Sequence, residues 1–426
     1  MPWNRRYAIL SYLVSTIWLV PFLAVALEEA TVRIVAASNL NLGFIPGFIG
    51  NSGTHIIVAD FVITLTITLI VFTFSSLLVA IQVASAQLTP RIIATTLLSD
   101  PVIRSTAGVF VYSLLLAVAI KIKPEELPDF LTSLVAIMAL VCLVAFLFLI
   151  DYTARLMRPV SIVWRVAEKG LKVINAVYPN RYGNPVASER PAQPVAPVER
   201  TVQHQGNSGI VLAVNLRGLV SAARKADGLI EVAPRVGDFV AVEEPLFLLR
   251  GGATQIDDRM LRGQIAIGRE RTIEQDATFA FRVIVDIAIK ALSKAINDPT
   301  TAVLSIDQLH RMLRAVGQRS LTSEQILDPE GRVRVIFRTP NWDDFVQLTF
   351  SEIRLYGAEN FQVARRLRAM IMNLLQNLSE SRLTALRKEL ELLDRTLERY
   401  HTFPEELALS RVPDTQGLGG ARTPAQ

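Results

Sequence analysis

This 426-residue sequence contains fewer charged residues than a typical soluble protein. Charged residues make up 19% of the chain and hydrophobic residues 51%, whereas an average soluble domain carries about 25% charged residues. A disordered chain needs low hydrophobicity and many charges, so that class is excluded. The chain also contains a single cysteine, Cys142, which excludes a disulfide scaffold. The composition therefore predicts a membrane protein with a soluble part.

Catalytic and metal-binding signatures are missing as well. The sequence contains no phosphate-binding GxxxxGK[ST] loop, no HExxH pair and no GxSxG nucleophile motif. It also lacks zinc-finger spacing and any long basic run of the kind that binds nucleic acid. The histidines are scattered too widely for a zinc site within one element: His55, His204, His310 and His401. We therefore predict no enzyme, no cofactor, no metal and no nucleic-acid partner.

Four uncharged runs carry the excess hydrophobicity, and all of them lie before residue 151. A helix needs about 20 apolar residues to cross the hydrocarbon core, and it crosses because it satisfies its own backbone polar groups. The shortest run lies between Arg104 and Lys121, whose long side chains can reach the two interfaces. The runs predict transmembrane helices at about 8–27, 58–84, 103–121 and 130–150.

The positions of lysine and arginine set the predicted orientation. Arg5 and Arg6 precede the first run and several basic residues follow the fourth, whereas two of the intervening loops also hold glutamate and aspartate. Because lysine and arginine stay on the cytoplasmic side, both termini are predicted to be cytoplasmic. All of the net positive charge lies after the fourth run, since residues 1–154 hold 7 basic and 8 acidic residues. This favours contact with the anionic surface of the lipid bilayer.

The first run has an alternative interpretation. Its basic start and the Ala24-Val25-Ala26 sequence resemble a signal peptide with its cleavage site. Cleavage would leave the orientation of the other three spans unchanged, so whether the first span is removed stays open.

The region after the runs predicts a second domain. Residues 155–177 continue the helical pattern of the fourth run, and prolines among polar residues mark 178–209 as a linker. Residues 210–402 alternate between strand and helix patterns, and the Gly- and Pro-rich residues 403–426 predict a disordered tail. The predicted fold is an α-helical membrane protein with four transmembrane helices in residues 1–154 plus a C-terminal cytoplasmic α+β domain.

Local patterns within the α+β domain predict its elements. The turn Val236-Gly237-Asp238, followed by Pro245, resembles that of small sandwich barrels and predicts a compact β module within 210–250. Apolar runs predict strands at 210–214, 229–232, 246–249 and 332–337. Helical patterns cover 215–227, 257–317, 343–355, 359–379 and 380–400.

Three stretches together resemble a known family. They are LVAIQVASAQLTPR at 78–91, GRERTIEQDATF at 268–279 and ALSKAINDPTTA at 291–302. In this order they are similar to the bacterial predicted membrane protein family called domain of unknown function 2254. The resemblance covers nearly the whole chain and implies a multi-pass protein of the bacterial inner membrane. It implies no activity, and the proline-rich stretch near 185–205 is not part of the family pattern.

The second span is the most polar of the four and supplies the first candidate site. Asp60, Thr64, Thr68, Ser75 and Gln82 fall near one stripe at the helical period of 3.6. Polar groups within a membrane are candidates for a functional site, and a ring of such helices would line a pore. Serine and threonine also bond to their own helix, and small polar residues pack helices together. The stripe therefore predicts either a pore lining or a helix interface.

The second candidate site lies in the cytoplasmic domain. Charged residues are dense in the stretch 268–279, namely Arg269, Glu270, Arg271, Glu274 and Asp276. They could bind a nucleotide, a metal or a partner, although such residues more often form a solvated face of ion pairs. Asn297 and Asp298 precede a further helix, where Asp298 is the predicted N-cap and Pro299 the first residue. That helix start could also bind an anion.

The functional hypothesis rests on the polar second span. Four helices, one short and one polar, bury little surface within one chain, so we predict a homo-oligomer in which copies of the second span meet. The leading hypothesis is an inner-membrane protein that is channel-like or related to transport, with a cytoplasmic regulatory domain. The alternative is a membrane-tethered sensor or protein-interaction module without transport. The small ligand or ion is left open in both.

Overall fold

The computed structural model describes residues 1–15, 19–38, 54–87, 100–123, 129–182, 196–321 and 324–420. The chain forms two compact units. The first, Leu10–Arg158, is called the membrane unit below. The second combines Met1–Ile9 with Pro159–Gln426 and is called the α+β unit.

The membrane unit is built from helices. They are α1 (Trp3–Ser15, which begins in the α+β unit), α2 (Leu19–Ser38), α3 (Thr54–Gln87), α4 (Pro101–Ile122) and α5 (Asp129–Leu156). Within the described residues, the helices long and apolar enough to cross a membrane cover His55–Val83, Pro101–Ile122 and Phe130–Leu156. They correspond to the second, third and fourth predicted spans. The first predicted span, 8–27, overlaps α1 and α2 and includes residues 16–18, which lie outside the described residues.

Helix α4 lies at the centre of the membrane unit, because it packs against α2, α3 and α5. Asp100 starts it as an N-cap whose Oδ1 accepts the backbone N–H of Val102 at 2.9 Å, with Pro101 as the first residue. The phenol of Tyr152 on α5 donates to Asp100 Oδ2 at 3.0 Å. The Cys142 thiol, buried on α5, donates to Ser113 Oγ on α4 at 3.3 Å. Polar residues thus join these helices inside an apolar unit.

The α+β unit contains more helices than strands. Its helices are α6 (Pro159–Val177), α7 (Leu216–Lys225), α8 (Asp258–Arg262), α9 (Ala277–Ala291), α10 (Pro299–Gly317), α11 (Trp342–Gly357), α12 (Phe361–Asn377), α13 (Glu380–Tyr400) and α14 (Pro404–Ser410), with a short 3₁₀ helix at Gly252–Gln255. Its strands are β1 (Arg200–Gln203), β2 (Gly209–Val214), β3 (Gly228–Val232), β4 (Phe239–Val240), β5 (Pro245–Gly251), β6 (Ile265–Gly268), β7 (Gln325–Leu327) and β8 (Val333–Phe337).

The strands form two sheets around one apolar core. The larger sheet has the order β1-β5-β3-β8-β7 and the smaller the order β4-β2-β6. Strands β3 and β8 pair in parallel, with Ile230 opposite Val335, and the other pairs are antiparallel. Leu219 of α7 and Phe247 of β5 are fully buried in the shared core. The predicted β module of 210–250 is therefore incomplete by itself, since β1, β6, β7 and β8 come from outside that range.

Helix α9 lies among other helices of the α+β unit. This helix packs against α6, α10 and α11, and it is apolar enough to be buried on most sides, with Phe281, Ile284 and Ala288 fully covered. Helix α10 packs in turn against α6 and α12. The β strands and these helices belong to one α+β unit, which includes residues outside the predicted 210–402.

Helix α6 does not continue the fourth span, which corrects the predicted extension over 155–177. Helix α5 ends at Leu156, and Met157 and Arg158 separate it from α6. Pro159 has no backbone N–H to extend the hydrogen-bond ladder of α5, so a new helix starts there. The apolar face of α6, which includes Val166 and Ile174, is buried in the α+β unit. The membrane span is thus joined to that unit by two residues.

Both ends of the predicted linker, 178–209, are packed where the structure describes them. The Tyr182 N–H donates to the Gln318 carbonyl at 2.9 Å, and Tyr178 is buried. Strand β1 pairs with β5 at the other end. Residues 183–195 lie outside the described part of the chain.

The segment after α13 also differs from the predicted disordered tail. Arg365, whose side chain is buried, donates to the carbonyls of Val412, Gly419 and Gly420, each at 2.9 Å. Asp414 accepts the backbone N–H of Gly419 at 2.7 Å. A buried guanidinium needs acceptors, and the carbonyls of this segment supply them, which orders the segment as far as residue 420.

Candidate functional sites

The polar stripe of α3 lies on the side of the helix that faces away from the rest of the membrane unit. Its members are all exposed, namely Asp60, Thr64, Thr68, Ser75 and Gln82. The buried residues of α3 are about half a turn away, and Val62, Leu69 and Leu77 are among them. A single chain therefore presents polar groups where a membrane helix normally presents apolar ones.

Some of the polar groups in the stripe are satisfied within the chain. Thr64 Oγ1 donates to the Asp60 carbonyl at 2.8 Å, and Thr68 Oγ1 donates to the Thr64 carbonyl at 2.7 Å. The Asp60 carboxylate pairs with the ammonium of Lys121 on α4 at 2.5 Å. These bonds reduce the cost of placing the groups in lipid. The backbone bonds fit either interpretation of the stripe, a pore lining or a helix interface.

The candidate site of the α+β unit centres on Asp276. This aspartate is the N-cap of α9, and its Oδ1 accepts from the backbone N–H of Phe279 at 3.0 Å and from Thr278 Oγ1 at 2.5 Å. Its Oδ2 lies 3.2 Å from Nε of Arg271. The carboxyl is only 4% exposed, and burial raises its pKa even though Thr278, Arg271 and the α9 backbone act in the opposite direction.

A glycine allows the pair of Arg271 and Asp276 to form. Gly237, in the turn before β4, has a φ of +93°. A Cβ atom at this position would lie 2.1 Å from Nη2 of Arg271 and 2.5 Å from Oδ2 of Asp276. The pair therefore packs directly on the Cα of the glycine. The guanidinium of Arg271 also lies 5.9 Å from the centre of the Phe279 ring.

The amino-terminal residues contact this loop and the turn that precedes β6. The backbone N–H of Asn4 donates to the Gly263 carbonyl at 3.0 Å. The Tyr7 phenol lies beside Glu274 and Thr272; burial raises its pKa, and the neighbouring Glu274 carboxylate raises it further. Residues far apart in the sequence thus meet at the loop between β6 and α9.

The structure does not gather every predicted residue of this unit into one site. Arg271, Glu274 and Asp276 lie in the contacts described above, whereas Arg269 and Glu270 are exposed. Asn297 and Asp298 lie beyond the other end of α9, a helix of 15 residues that is about 22 Å long.

Asp298 has the predicted capping role. It is the N-cap of α10, its Oδ1 accepts the Thr301 N–H at 3.0 Å, and Pro299 follows it at the first helical position. Its own N–H donates to the Ala291 carbonyl at 2.8 Å, which connects α10 to the end of α9. Asn297 has a φ of +47°, a conformation that asparagine adopts more readily than most residues. These positions are explained by the turn between two helices.

Sequence reasoning missed Gly237 and Tyr7 as parts of this site. The turn around Gly237 was evident in the sequence, but its neighbours in space were not. Nothing in the local pattern near Tyr7 indicates Glu274. Within the described ranges of the chain, no group of three or more His, Cys, Asp or Glu side chains could bind a metal ion.

Comparisons with known proteins give a family model and relatives that are described as uncharacterized. A family model described as a predicted membrane protein (DUF2254) matches residues 13–373. Uncharacterized proteins of Mycobacterium bovis and of Mycobacterium tuberculosis strain H37Rv are each 27% identical over 417 residues, which covers 93% of this chain and 79% of each relative. No solved structure matches the chain.

Proposed function

Because this chain belongs to the DUF2254 family of predicted membrane proteins, we propose that it forms a homo-oligomer in the bacterial inner membrane through the polar stripe of α3. In that assembly the stripes surround a polar, channel-like path, and the α+β unit regulates it from the cytoplasm. The proposal assigns no catalytic step to the chain.

The observation that carries this proposal is the exposure of the stripe. Thr68 and Gln82 are exposed in the single chain, on a side of α3 that they share with exposed apolar residues such as Val71 and Leu78. By contrast, the exposed side chains of α5 are large and apolar, such as Leu140, Val144 and Leu147, and suit contact with lipid. Contact between copies of α3 removes polar groups from lipid, and small hydroxyl residues allow the close approach of helices.

The contacts of the amino terminus support four membrane crossings. Residues 1–9 touch residues 262–274 within one unit, so the two segments share one side of the membrane. A chain that returns to its starting side crosses an even number of times. The candidate spans of the described residues number three, so we propose the fourth crossing between residues 10 and 53, with both termini cytoplasmic.

Cross-linking between copies tests the oligomer. In a Cys142→Ala background, Thr68→Cys places a thiol on the exposed stripe, and we expect oxidation in native membranes to give a disulfide-linked dimer. Thr66→Cys is the matched control, because Thr66 lies on the same helix but is fully buried within the chain. Equal cross-linking of the two variants, or of neither, would contradict the proposed interface.

Flux through proteoliposomes tests the channel. We expect ion or small-solute flux with the purified protein, and a severalfold decrease with Gln82→Leu, which removes a polar group from the stripe. Asp60→Ala should also reduce flux, since it removes the acidic group at one end of the stripe. The absence of flux under every gradient tested would reject the channel while leaving the oligomer to be judged by cross-linking.

A second candidate function is that of a membrane-tethered sensor or protein-interaction module. It is favoured by the hydrogen bonds that the Thr64 and Thr68 hydroxyls donate to carbonyls of their own helix. Hydroxyls that are already bonded in this way do not require the water of a pore. Replacing residues 10–158 with an unrelated four-helix anchor separates the two functions. Full rescue of a deletion phenotype by the chimaera would favour the tether, and loss of rescue would favour a role for the native spans.

A further inference from the structure

Helix α6 is held in the α+β unit by one side. It packs against α9 and α10, and its residues Val166 and Ile174 are buried there. The approach is close, because a Cβ atom at Gly170 would lie 2.5 Å from Met312 Cε and 2.8 Å from Ala280 Cβ. This packing fixes which side of α6 is buried, and therefore also which side is exposed.

Basic residues follow the exposed side of α6. They are at least partly exposed and are called the basic stripe below, namely Arg158, Arg165, Lys169 and Lys172. The spacings of seven, four and three residues keep them on one side of a helix. The acidic residue of α6, Glu168, pairs with Arg311 of α10 at 2.6 Å. Arg158 and Lys172 have no ion pair within the residues that the structure describes, so the stripe carries positive charge toward the outside.

Large apolar side chains lie beside the basic stripe. Val160 is 50% exposed and Trp164 is 49% exposed. The guanidinium of Arg311 lies 4.6 Å from the centre of the Trp164 ring and covers one of its faces. Tryptophan is enriched where lipid headgroups meet the hydrocarbon core. A tryptophan next to a row of basic residues is typical of helices that lie on a membrane surface.

The connection to α5 brings the start of α6 to the bilayer. The candidate span Phe130–Leu156 ends at Leu156, and Pro159 starts α6 three residues later. Three steps along a chain cover at most about 11 Å. The first turn of α6 therefore lies within reach of the headgroups, and anionic headgroups attract basic segments next to a membrane span.

From the fixed packing of α6, its basic stripe, the exposed Trp164 and the short connection to α5, we propose that the exposed side of α6 lies on the bilayer and binds anionic phospholipids. The basic stripe contacts their phosphate groups, and Trp164 lies at the level of the headgroups. The proposal requires α5 to span the membrane. It does not depend on the proposed channel or on contact between copies of α3.

Quenching by a nitroxide on the lipid headgroup tests the proposal, with the full-length protein in nanodiscs. In a Cys142→Ala background, Ala176→Cys carries a fluorescent dye at an exposed position seven residues after Lys169. Ala176 lies about 25 Å along α6 from Pro159, so the short connection alone does not hold it at the bilayer. We expect quenching of at least about twofold in nanodiscs that contain about 30% phosphatidylglycerol.

Glu391→Cys provides the control for position. Glu391 is also exposed in the α+β unit, but it lies on α13, which packs against α11 and α12. A dye there should be quenched much less than a dye at Ala176. Equal quenching at the two positions would overturn the proposal.

Removal of charge tests the class of lipid. Arg158→Gln combined with Lys172→Gln should restore roughly half or more of the quenched fluorescence at Ala176, because each basic residue near an anionic surface adds to the attraction. Lys225→Gln combined with Arg399→Gln is the matched control, since it removes two exposed positive charges outside α6, and it should change nothing. Replacing phosphatidylglycerol with phosphatidylcholine should weaken the quenching of the unaltered stripe. Equal effects of the two double variants, or quenching that does not depend on phosphatidylglycerol, would each overturn the proposal.

Discussion

At the scale of single residues, an added methyl group at Gly237 tests the close contact of the Arg271–Asp276 pair with the turn before β4. Gly237→Ala places a Cβ against Arg271 and Asp276 at a φ that alanine rarely adopts. Arg271 is exposed and can move away, whereas Asp276 is fixed as the cap of α9. We expect a loss of about 1–3 kcal/mol in the free energy of unfolding, measured by denaturation of the full chain in detergent.

Gly206→Ala provides the control for that experiment. Gly206 also has a positive φ, +118°, but a Cβ atom there would meet nothing within 4 Å. The difference between the two variants therefore isolates the collision with the Arg271–Asp276 pair from the strain of the backbone. Equal losses would mean that the pair tolerates the methyl group and does not depend on close contact with Gly237.

The buried carboxyl of Asp276 predicts a pH effect. Burial raises the pKa of Asp276 in the folded protein, so the folded state holds this proton more tightly than the unfolded state does. This contribution to stability is lost as the pH rises from about 4, the ordinary value, through the raised pKa. Asp276→Asn keeps an N-cap acceptor and cannot ionise, so its stability should fall less than that of the wild type over this range. Parallel curves of unfolding free energy against pH would contradict the assignment.

The residues that sequence reasoning identified correctly are those whose roles are local. Asp298 was predicted as an N-cap because the following Pro299 and helical pattern are adjacent to it, and the structure confirms the role. The contact of Tyr7 with Glu274 depends on how the amino terminus returns to the α+β unit. No periodicity in either segment carries that information.

At the scale of elements, the start of α10 provides a second stability test. Asp298→Ala removes the acceptor for the Thr301 N–H and should lower the free energy of unfolding by about 1 kcal/mol. Asp298→Asn retains an acceptor and should lie close to the wild type in the same denaturation experiment. A loss as large in Asp298→Asn as in Asp298→Ala would show that the charge of Asp298 matters rather than the cap.

The same contrast between local and distant information decides which elements were predictable. Strands β2, β3, β5 and β8 were found because their apolar runs are bounded by turn residues. Strand β6 was missed, since its four residues lie inside a predicted helical region, 257–317, and it becomes a strand by pairing with β2. The break between α5 and α6 was missed because the helical pattern resumes directly after Pro159.

At the scale of the whole molecule, α3 combines two polar features with different surroundings. The stripe that includes Thr68 is exposed, and some of its hydroxyls donate to carbonyls of α3 itself. Thr73, by contrast, lines a cavity inside the membrane unit. The cavity wall includes Met157, one of the two residues that join α5 to α6.

The contact between the amino terminus and the α+β unit makes a topological prediction for the whole chain. In a Cys142→Ala background, Arg5→Cys and Glu391→Cys place thiols at exposed positions of that unit, and Lys123→Cys places one just after α4. With four crossings and cytoplasmic termini, a membrane-impermeant maleimide should label Lys123→Cys in right-side-out vesicles. Arg5→Cys and Glu391→Cys should react only after permeabilisation. Labelling of Arg5→Cys and Glu391→Cys from opposite sides would leave an odd number of crossings, which the hydrogen bond between Asn4 and Gly263 does not allow.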